Sequence, residues 1–231
     1  MLWAEVIIMK KRVKQNGITA AVLFLLFCAL IVLLKTVDVQ AVGPQDSVVG
    51  LATFNRAMHT LTGVHNRLYK ITEISGYIVL ATAGAFAVLG IWQAVSRRSL
   101  KKADTDLYCL AGLYAVMAAF YVLFEVCVVN YRPVMWGDAP EASFPSSHTM
   151  IAVCVMLTAV YQIRKRIGNT AWRTVLEVCC MILLSVTVIG RLLSGVHWFT
   201  DILGGLLLGG ALVFGYFAAV ARFSVKTADR E

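Results

Sequence analysis

Charge is scarce in this chain. Of its 231 residues only 15% are charged and 59% are hydrophobic, whereas a soluble domain carries roughly a quarter charged residues. With a mean hydropathy of +0.76, a chain of this length cannot hide so much apolar side chain inside itself, so an ordinary water-soluble domain is excluded and lipid must cover the outside. Linkers, internal repeats and low-complexity tracts are also missing, which leaves one membrane-embedded domain over 1–231 as the expectation. The six cysteines (Cys28, Cys109, Cys127, Cys154, Cys179, Cys180) all fall in apolar runs. Buried thiols behave as small hydrophobes, so they supply neither a disulfide framework nor a zinc knuckle.

What is present is a series of apolar runs long enough to cross a bilayer, which takes about 20 residues as helix with a range of roughly 17–25. Six stretches qualify: 18–34, 71–95, 107–129, 149–163, 174–190 and 202–221. The fold expected is all-α, a polytopic membrane protein with six transmembrane helices. The fourth stretch is the shortest. A cleaved signal peptide at 18–34 is disfavoured, because the run is too long and its loss would leave an odd number of spans. Residues 1–9 form an apolar stub expected at the inner surface.

The formal net charge is +8, but its placement points to membrane orientation and away from nucleic acid. Lys10, Lys11, Arg12 and Lys14 precede the first run; Arg97, Arg98, Lys101 and Lys102 follow the second. Arg164, Lys165, Arg166 and Arg173 join the fourth to the fifth, and Arg222, Lys226 and Arg230 close the chain. Positive residues in every second connection place those segments, and both termini, in the cytoplasm. Trp92, Trp136, Trp172 and Trp198 map near the ends of runs, as an aromatic belt requires. The 37–70 segment is the longest outer connection. Leu51, Phe54, Met58 and Leu61 recur there at helical spacing, which predicts a helix lying in the outer interface or packed on the ends of the spans.

Polar residues beside a membrane core are costly and mark function. They converge on the outer side. Arg132-Pro133 follows the third run, Pro145-Ser146-Ser147-His148 opens the fourth, Arg191 closes the fifth, and His197 and Asp201 open the sixth. Arg132 and Arg191 can present planar donor forks to phosphate. Ser146 and Ser147 sit at a helix start, where backbone N–H groups receive anions, and Pro145 suits the first helical turn. His197 and Asp201 are four residues apart, so the carboxylate can fix one imidazole nitrogen and leave the other as nucleophile. His148 is then free to act as general acid. Singly, each residue is a headgroup anchor, a cap or an interfacial histidine; together they describe an anion site that needs no metal and no cofactor.

These residues carry a resemblance. The chain resembles the type 2 phosphatidic acid phosphatase family, which is similar in turn to vanadium haloperoxidases and bacterial acid phosphatases. The family pattern reads Lys, six residues, Arg-Pro; then Pro-Ser-Gly-His; then Ser-Arg, five residues, His, three residues, Asp. Here the second part is Pro145-Ser146-Ser147-His148, and the third is Gly190-Arg191 followed by His197 and Asp201 at the family spacing.

The resemblance implies a phosphohistidine at His197, held by Asp201, with His148 protonating the leaving group. Arg132, Arg191 and the backbone at Ser146 and Ser147 would bind phosphate. Three positions depart from the pattern. Ser147 replaces Gly, where a positive φ would be disfavoured. Gly190 replaces Ser. Glu125 replaces Lys seven residues before Arg132, about two helical turns away and on the same face. Glu125 is expected to pair with Arg132 or Arg191 or to be neutralised by burial; otherwise the phosphate pocket is weakened.

The function expected is a lipid phosphate or diphosphate phosphatase of the cell membrane with an extracytoplasmic site. By family analogy undecaprenyl diphosphate is the first expectation for its substrate, with phosphatidate and phosphatidylglycerol phosphate close behind. A lipid phosphotransferase and a catalytically weakened headgroup-binding protein are the competing readings. A channel is disfavoured, because no broken helix pair or charged pore ring is evident.

Overall fold

A computed structural model describes residues 2–99, 103–135 and 137–228, with side chains from residue 7 to residue 225 of these. Lys101, Lys102, Trp136 and Arg230 lie outside the described residues. The described chain is almost wholly helical: α1 (Leu2–Thr36), α2 (Ala52–Thr62), α3 (Asn66–Ser96), α4 (Thr105–Val126), α5 (Ser147–Arg166), α6 (Thr170–Leu193) and α7 (Phe199–Ala228). A two-stranded antiparallel ribbon, β1 (Gln40–Ala41) and β2 (Val48–Val49), pairs Gln40 with Val49 and Ala41 with Val48 between α1 and α2.

Among the described residues, five helical stretches are long and apolar enough to cross a membrane: Ile7–Thr36, Asn66–Ser96, Thr105–Val126, Thr170–Leu193 and Phe199–Val225. Their outer faces carry exposed large hydrophobics such as Leu25, Val88, Ile91, Val122 and Ile182, a surface that only lipid can cover without penalty. The expected fourth span, α5, is not among the five. Its position explains why. α5 packs against α3, α4, α6 and α7 and buries Thr149, Met150, Ala152, Val153, Cys154, Val155, Met156, Thr158, Ala159 and Gln162. A helix enclosed by protein can carry Thr and Gln where a lipid-facing one cannot, so its hydropathy falls.

Several boundaries move. α1 runs without a break from Leu2, so the apolar stub is part of that helix. The third span ends at Val126, short of the expected residue 129. Among the cysteines only Cys154 is buried, while Cys127 and Cys179 are exposed; all six are free.

Two features hold the bundle at its ends. Gly205 lets α7 approach α5, since a Cβ there would lie 2.8 Å from the Ser146 carbonyl oxygen. At the far end of α5, Asp106, 1% exposed, pairs with Lys165 and, at 2.9 Å, with Arg166. Asp104 ties Arg97 (2.9 Å) and Arg166 (3.3 Å) into the same network. The opposite end, where α4, α5, α6 and α7 present their polar termini, holds the candidate site.

Candidate active site

The loop after α4 folds back on itself as a hairpin. Tyr131 and Ala142 form an isolated bridge, the Arg132 N–H donates to the Glu141 carbonyl (3.0 Å), and the Ser143 N–H donates to the Asn130 carbonyl (2.9 Å). Trp198 braces this hairpin by donating its indole N–H to the Tyr131 carbonyl at 2.7 Å. Trp198 is therefore buried and not part of an aromatic belt; Trp92 and Trp172 are exposed as a belt requires. The Phe144–Pro145 peptide is cis. Pro145 precedes the cap Ser146 and so stands outside the first turn of α5.

The hairpin delivers Ser143 to His197 and Asp201. The His197 Nδ1–Asp201 Oδ2 distance is 3.7 Å, too long for a direct hydrogen bond. The Ser143 hydroxyl fills the gap: it donates to Asp201 Oδ2 and lies 3.0 Å from His197 Nδ1. With its proton committed to the carboxylate, Ser143 accepts from Nδ1–H, which leaves Nε2 with its lone pair. That Nε2 is buried with no protein partner. Asp201 is fixed further by the Trp198 N–H at 2.8 Å. Burial pushes His197 well below the ordinary histidine value, and the Arg132 and Arg191 charges push the same way. The imidazole is accordingly neutral and able to attack.

Arg191, at the end of α6, is fully buried. One of its terminal nitrogens binds Glu73 on α3, its guanidinium lies 5.1 Å from the centre of the Tyr69 ring, and Nε and Nη1 have no protein partner. His148, in the first turn of α5, places Nε2 3.4 Å from the same Glu73 oxygen. Arg132 is half-buried and rests on Glu141 (3.3 Å) and the Ala142 carbonyl (3.4 Å). Two imidazoles and two guanidinium groups from separate elements thus share one end of the bundle.

Some expectations need correction. The Ser146 N–H is taken by the Asp201 carbonyl at 2.9 Å, and its buried hydroxyl accepts from Thr149. Ser146 therefore secures the α5–α7 junction and cannot offer that N–H to phosphate. Ser147 is the first residue of α5 and has no positive φ, so a side chain is accommodated there. At Gly190 a Cβ would meet Thr72 Cγ2 at 2.5 Å, so α3 occupies the space a serine would need. Glu125 is exposed and makes no ion pair with Arg132 or Arg191, whose partners are Glu141 and Glu73. Because α4 stops at Val126, Glu125 and Arg132 do not share a helix face.

Two cavities meet here. A small one is lined by Glu125, Arg132, Ser143, Ser147 and His197. A larger one of about 400 Å³ runs between α3, α4 and α5, from Glu73, Ser147 and His148 past Met117 to Leu80 and Ile151. Tyr77, Leu80 and Tyr121 on its wall are exposed on the lipid-facing side of the bundle. Ser147 and Tyr121 line both. Among the described residues no group of three His, Cys, Asp or Glu side chains is placed to hold a metal ion.

Residues 125–224 match the PAP2 superfamily. Over these residues the chain is similar to that superfamily. Phosphatidylglycerophosphatase B of Bacillus subtilis (strain 168) is 33% identical over 88 residues, which are 36% of this chain and 43% of that protein. The aligned stretch thus spans less than half of that relative. The crystal structure of a transmembrane PAP2-type phosphatidylglycerolphosphate phosphatase from Bacillus subtilis superposes with a TM-score of 0.60. That likeness covers 92% of this chain and 96% of the other at 19% identity, and it shows the fold.

Glu73, Tyr69 and Ser143 were not singled out from the sequence. Glu73 is the only charged residue in the 71–95 run, and a lone carboxylate in an apolar span is a signal that could have found it. Ser143 has no such signature, because a serine in a loop looks like any other turn residue.

Proposed function

We propose that the protein is a lipid phosphate phosphatase working through a phosphohistidine at His197 on the extracytoplasmic face of the membrane. The observation that supports this best is the buried His197 with its Nε2 unpartnered and Nδ1 committed to the Ser143–Asp201 pair. In the first step the Nε2 lone pair attacks phosphorus while the bond to the lipid oxygen breaks. His148 gives that oxygen its proton. Water then attacks phosphorus and its proton passes to His148. The N–P bond breaks and its electron pair returns to Nε2. Arg191 and Arg132, with the first-turn backbone from Ser147, neutralise the charge that builds on the phosphoryl oxygens.

The apolar cavity between α3, α4 and α5 suits the lipid tail, since it is continuous with the lipid-facing side and ends at His148. The name of the Bacillus subtilis relative favours phosphatidylglycerol phosphate over undecaprenyl diphosphate and phosphatidate. In this reading α5 is the sixth span, packed among α3, α4, α6 and α7. The described basic residues Lys10, Lys11, Arg12, Lys14, Arg97, Arg98, Arg164, Lys165, Arg166, Arg173 and Arg222 then face the cytoplasm with both termini.

The test is phosphate release by detergent-purified protein from these three lipids, beside His197→Ala. Release from phosphatidylglycerol phosphate, together with an acid-labile phosphoprotein that the variant lacks, is the result expected. Release unaffected by His197→Ala would overturn the mechanism, and label appearing on a second lipid would make the protein a phosphotransferase.

A further inference from the structure

Glu73 stands where α3 meets the two groups that matter most for phosphate transfer after the nucleophile. Its Oε1 binds the buried guanidinium of Arg191 and lies 3.4 Å from His148 Nε2. The neighbouring turn of α3 is shaped for the same imidazole: a Cβ at Gly76 would lie 2.9 Å from His148 Cδ2 and 3.1 Å from Nε2. The ring therefore sits against α3 between an absent side chain and a carboxylate, so its position is set by α3 as much as by its own helix.

The charges around His148 make that carboxylate necessary. A general acid must hold a proton before the P–O bond breaks, yet His148 shares its site with two guanidinium groups that disfavour an imidazolium. Glu73 is an anion beside the ring that opposes them. When a phosphate arrives, its oxygens can take over Arg191, whose Nε and Nη1 have no protein partner, while Glu73 stays with His148.

We infer that Glu73 is a positioning residue for the general acid, holding the His148 imidazole in place against α3 and aimed at the leaving oxygen. This inference rests on the phosphatase reading above. In the first step a proton moves from His148 to the lipid oxygen as its bond to phosphorus breaks. Loss of Glu73 impairs that transfer and leaves the attack by His197 intact. The dependence on leaving group separates this role from a merely structural one. An alkoxide cannot depart without a proton, whereas a nitrophenolate can.

The experiment compares full-length wild type and Glu73→Gln in detergent on two phosphate monoesters with the same alkyl tail, one an alkyl ester and one a nitrophenyl ester. The expected result is a kcat loss of about a hundredfold on the alkyl ester and of less than about fivefold on the nitrophenyl ester. Equal losses on both would overturn the inference and leave the phosphatase reading standing. A wild type that hydrolyses neither ester would overturn both. Because Glu73→Gln deprives buried Arg191 of its counter-charge, Glu73→Asp is run alongside. It keeps the charge but draws it back from His148, and the same split at smaller size is expected; equal losses in this variant also overturn the role.

Discussion

Asn55 on α2 caps the start of α7 at Thr200. Its side-chain oxygen accepts the Thr200 N–H at 3.3 Å, and its amide donates to the Thr200 hydroxyl at 3.0 Å and to the Gly50 carbonyl at 2.9 Å. All of this is buried. A helix start leaves N–H groups without intrahelical partners, and here a residue 145 positions away supplies one. Thr200 adjoins Asp201, so the connection between α1 and α3 is tied directly to the candidate site. The turn between α6 and α7 is held in the same way: the His65 N–H donates to the Ser194 carbonyl at 3.0 Å, and His59 Nε2 bonds the Gly195 carbonyl at 3.0 Å. Gly195 has φ +69 and a Cβ there would lie 1.9 Å from the Gly63 carbonyl oxygen, so only glycine fits.

Asn55→Ala should therefore destabilise the protein by about 1–3 kcal/mol, the cost of leaving buried donors and acceptors without partners. Thermal unfolding in detergent measures it. Activity should fall as well, because Asp201 loses the anchoring of its helix start. Phe54→Ala, which removes a 47%-exposed ring packed edge-on to Phe199 at 5.4 Å, should have a much smaller effect. A larger effect from Phe54→Ala than from Asn55→Ala would count against the capping role.

Ser143→Ala removes the hydroxyl between His197 and Asp201. Nothing then bridges the 3.7 Å gap, and the imidazole is free to take the tautomer with its proton on Nε2. We expect kcat to fall about a hundredfold with KM little changed, because Arg191 and Arg132, the proposed phosphate binders, are untouched. Steady-state kinetics on the lipid substrate reads this directly. A KM effect without a kcat effect would show that Ser143 contacts substrate instead.

His197 also predicts how stability responds to pH. Its ordinary value is 6.5 and burial lowers it in the folded protein. Below pH 6.5 the unfolded chain takes up a proton that the folded chain refuses, so folding stability is complete above about pH 6.5 and falls as the pH drops towards the folded value. The slope approaches about 1.4 kcal/mol per pH unit from this one group. Unfolding midpoints at pH 5, 6, 7 and 8 should fall less steeply towards acid in His197→Gln than in the wild type. Parallel profiles would show that the buried ring is already charged.

What could be read in the sequence was whatever depends on spacing along one helix or on hydropathy. The five apolar runs that form membrane-length helices are of that kind; the four-residue spacing brings His197 near Asp201, but His197 precedes α7 and Ser143 bridges the two. The rest depended on contacts between distant segments. Glu73 reaches Arg191 across 118 positions and Ser143 reaches Asp201 across 58, and no local pattern encodes either. The shared face of Glu125 and Arg132 fails for a related reason: a helix continued on hydropathy alone overruns Val126, where α4 ends. The α2 segment illustrates both cases. Its apolar residues Phe54 and Leu61 are exposed as an interfacial helix requires, but the face it buries is the one carrying Ala52 and Asn55, which apolar spacing could not disclose.

Glu125 offers the last prediction. It is exposed at the end of α4 and lines the small cavity with Arg132 and His197, so its charge faces an arriving phosphate without an arginine partner to cancel it. Replacing it with lysine reverses the sign at the mouth of the site. For charges near a protein surface this is worth about 1 kcal/mol after solvent screening, which is about fivefold in an equilibrium constant. Glu125→Lys should therefore lower KM about fivefold and leave kcat nearly unchanged, since neither the nucleophile nor the acid is touched. Glu125→Gln should fall between the two, and raising the salt concentration should shrink the difference. If kcat rises instead while KM holds, the carboxylate acts on the transition state and the electrostatic account of the mouth is wrong.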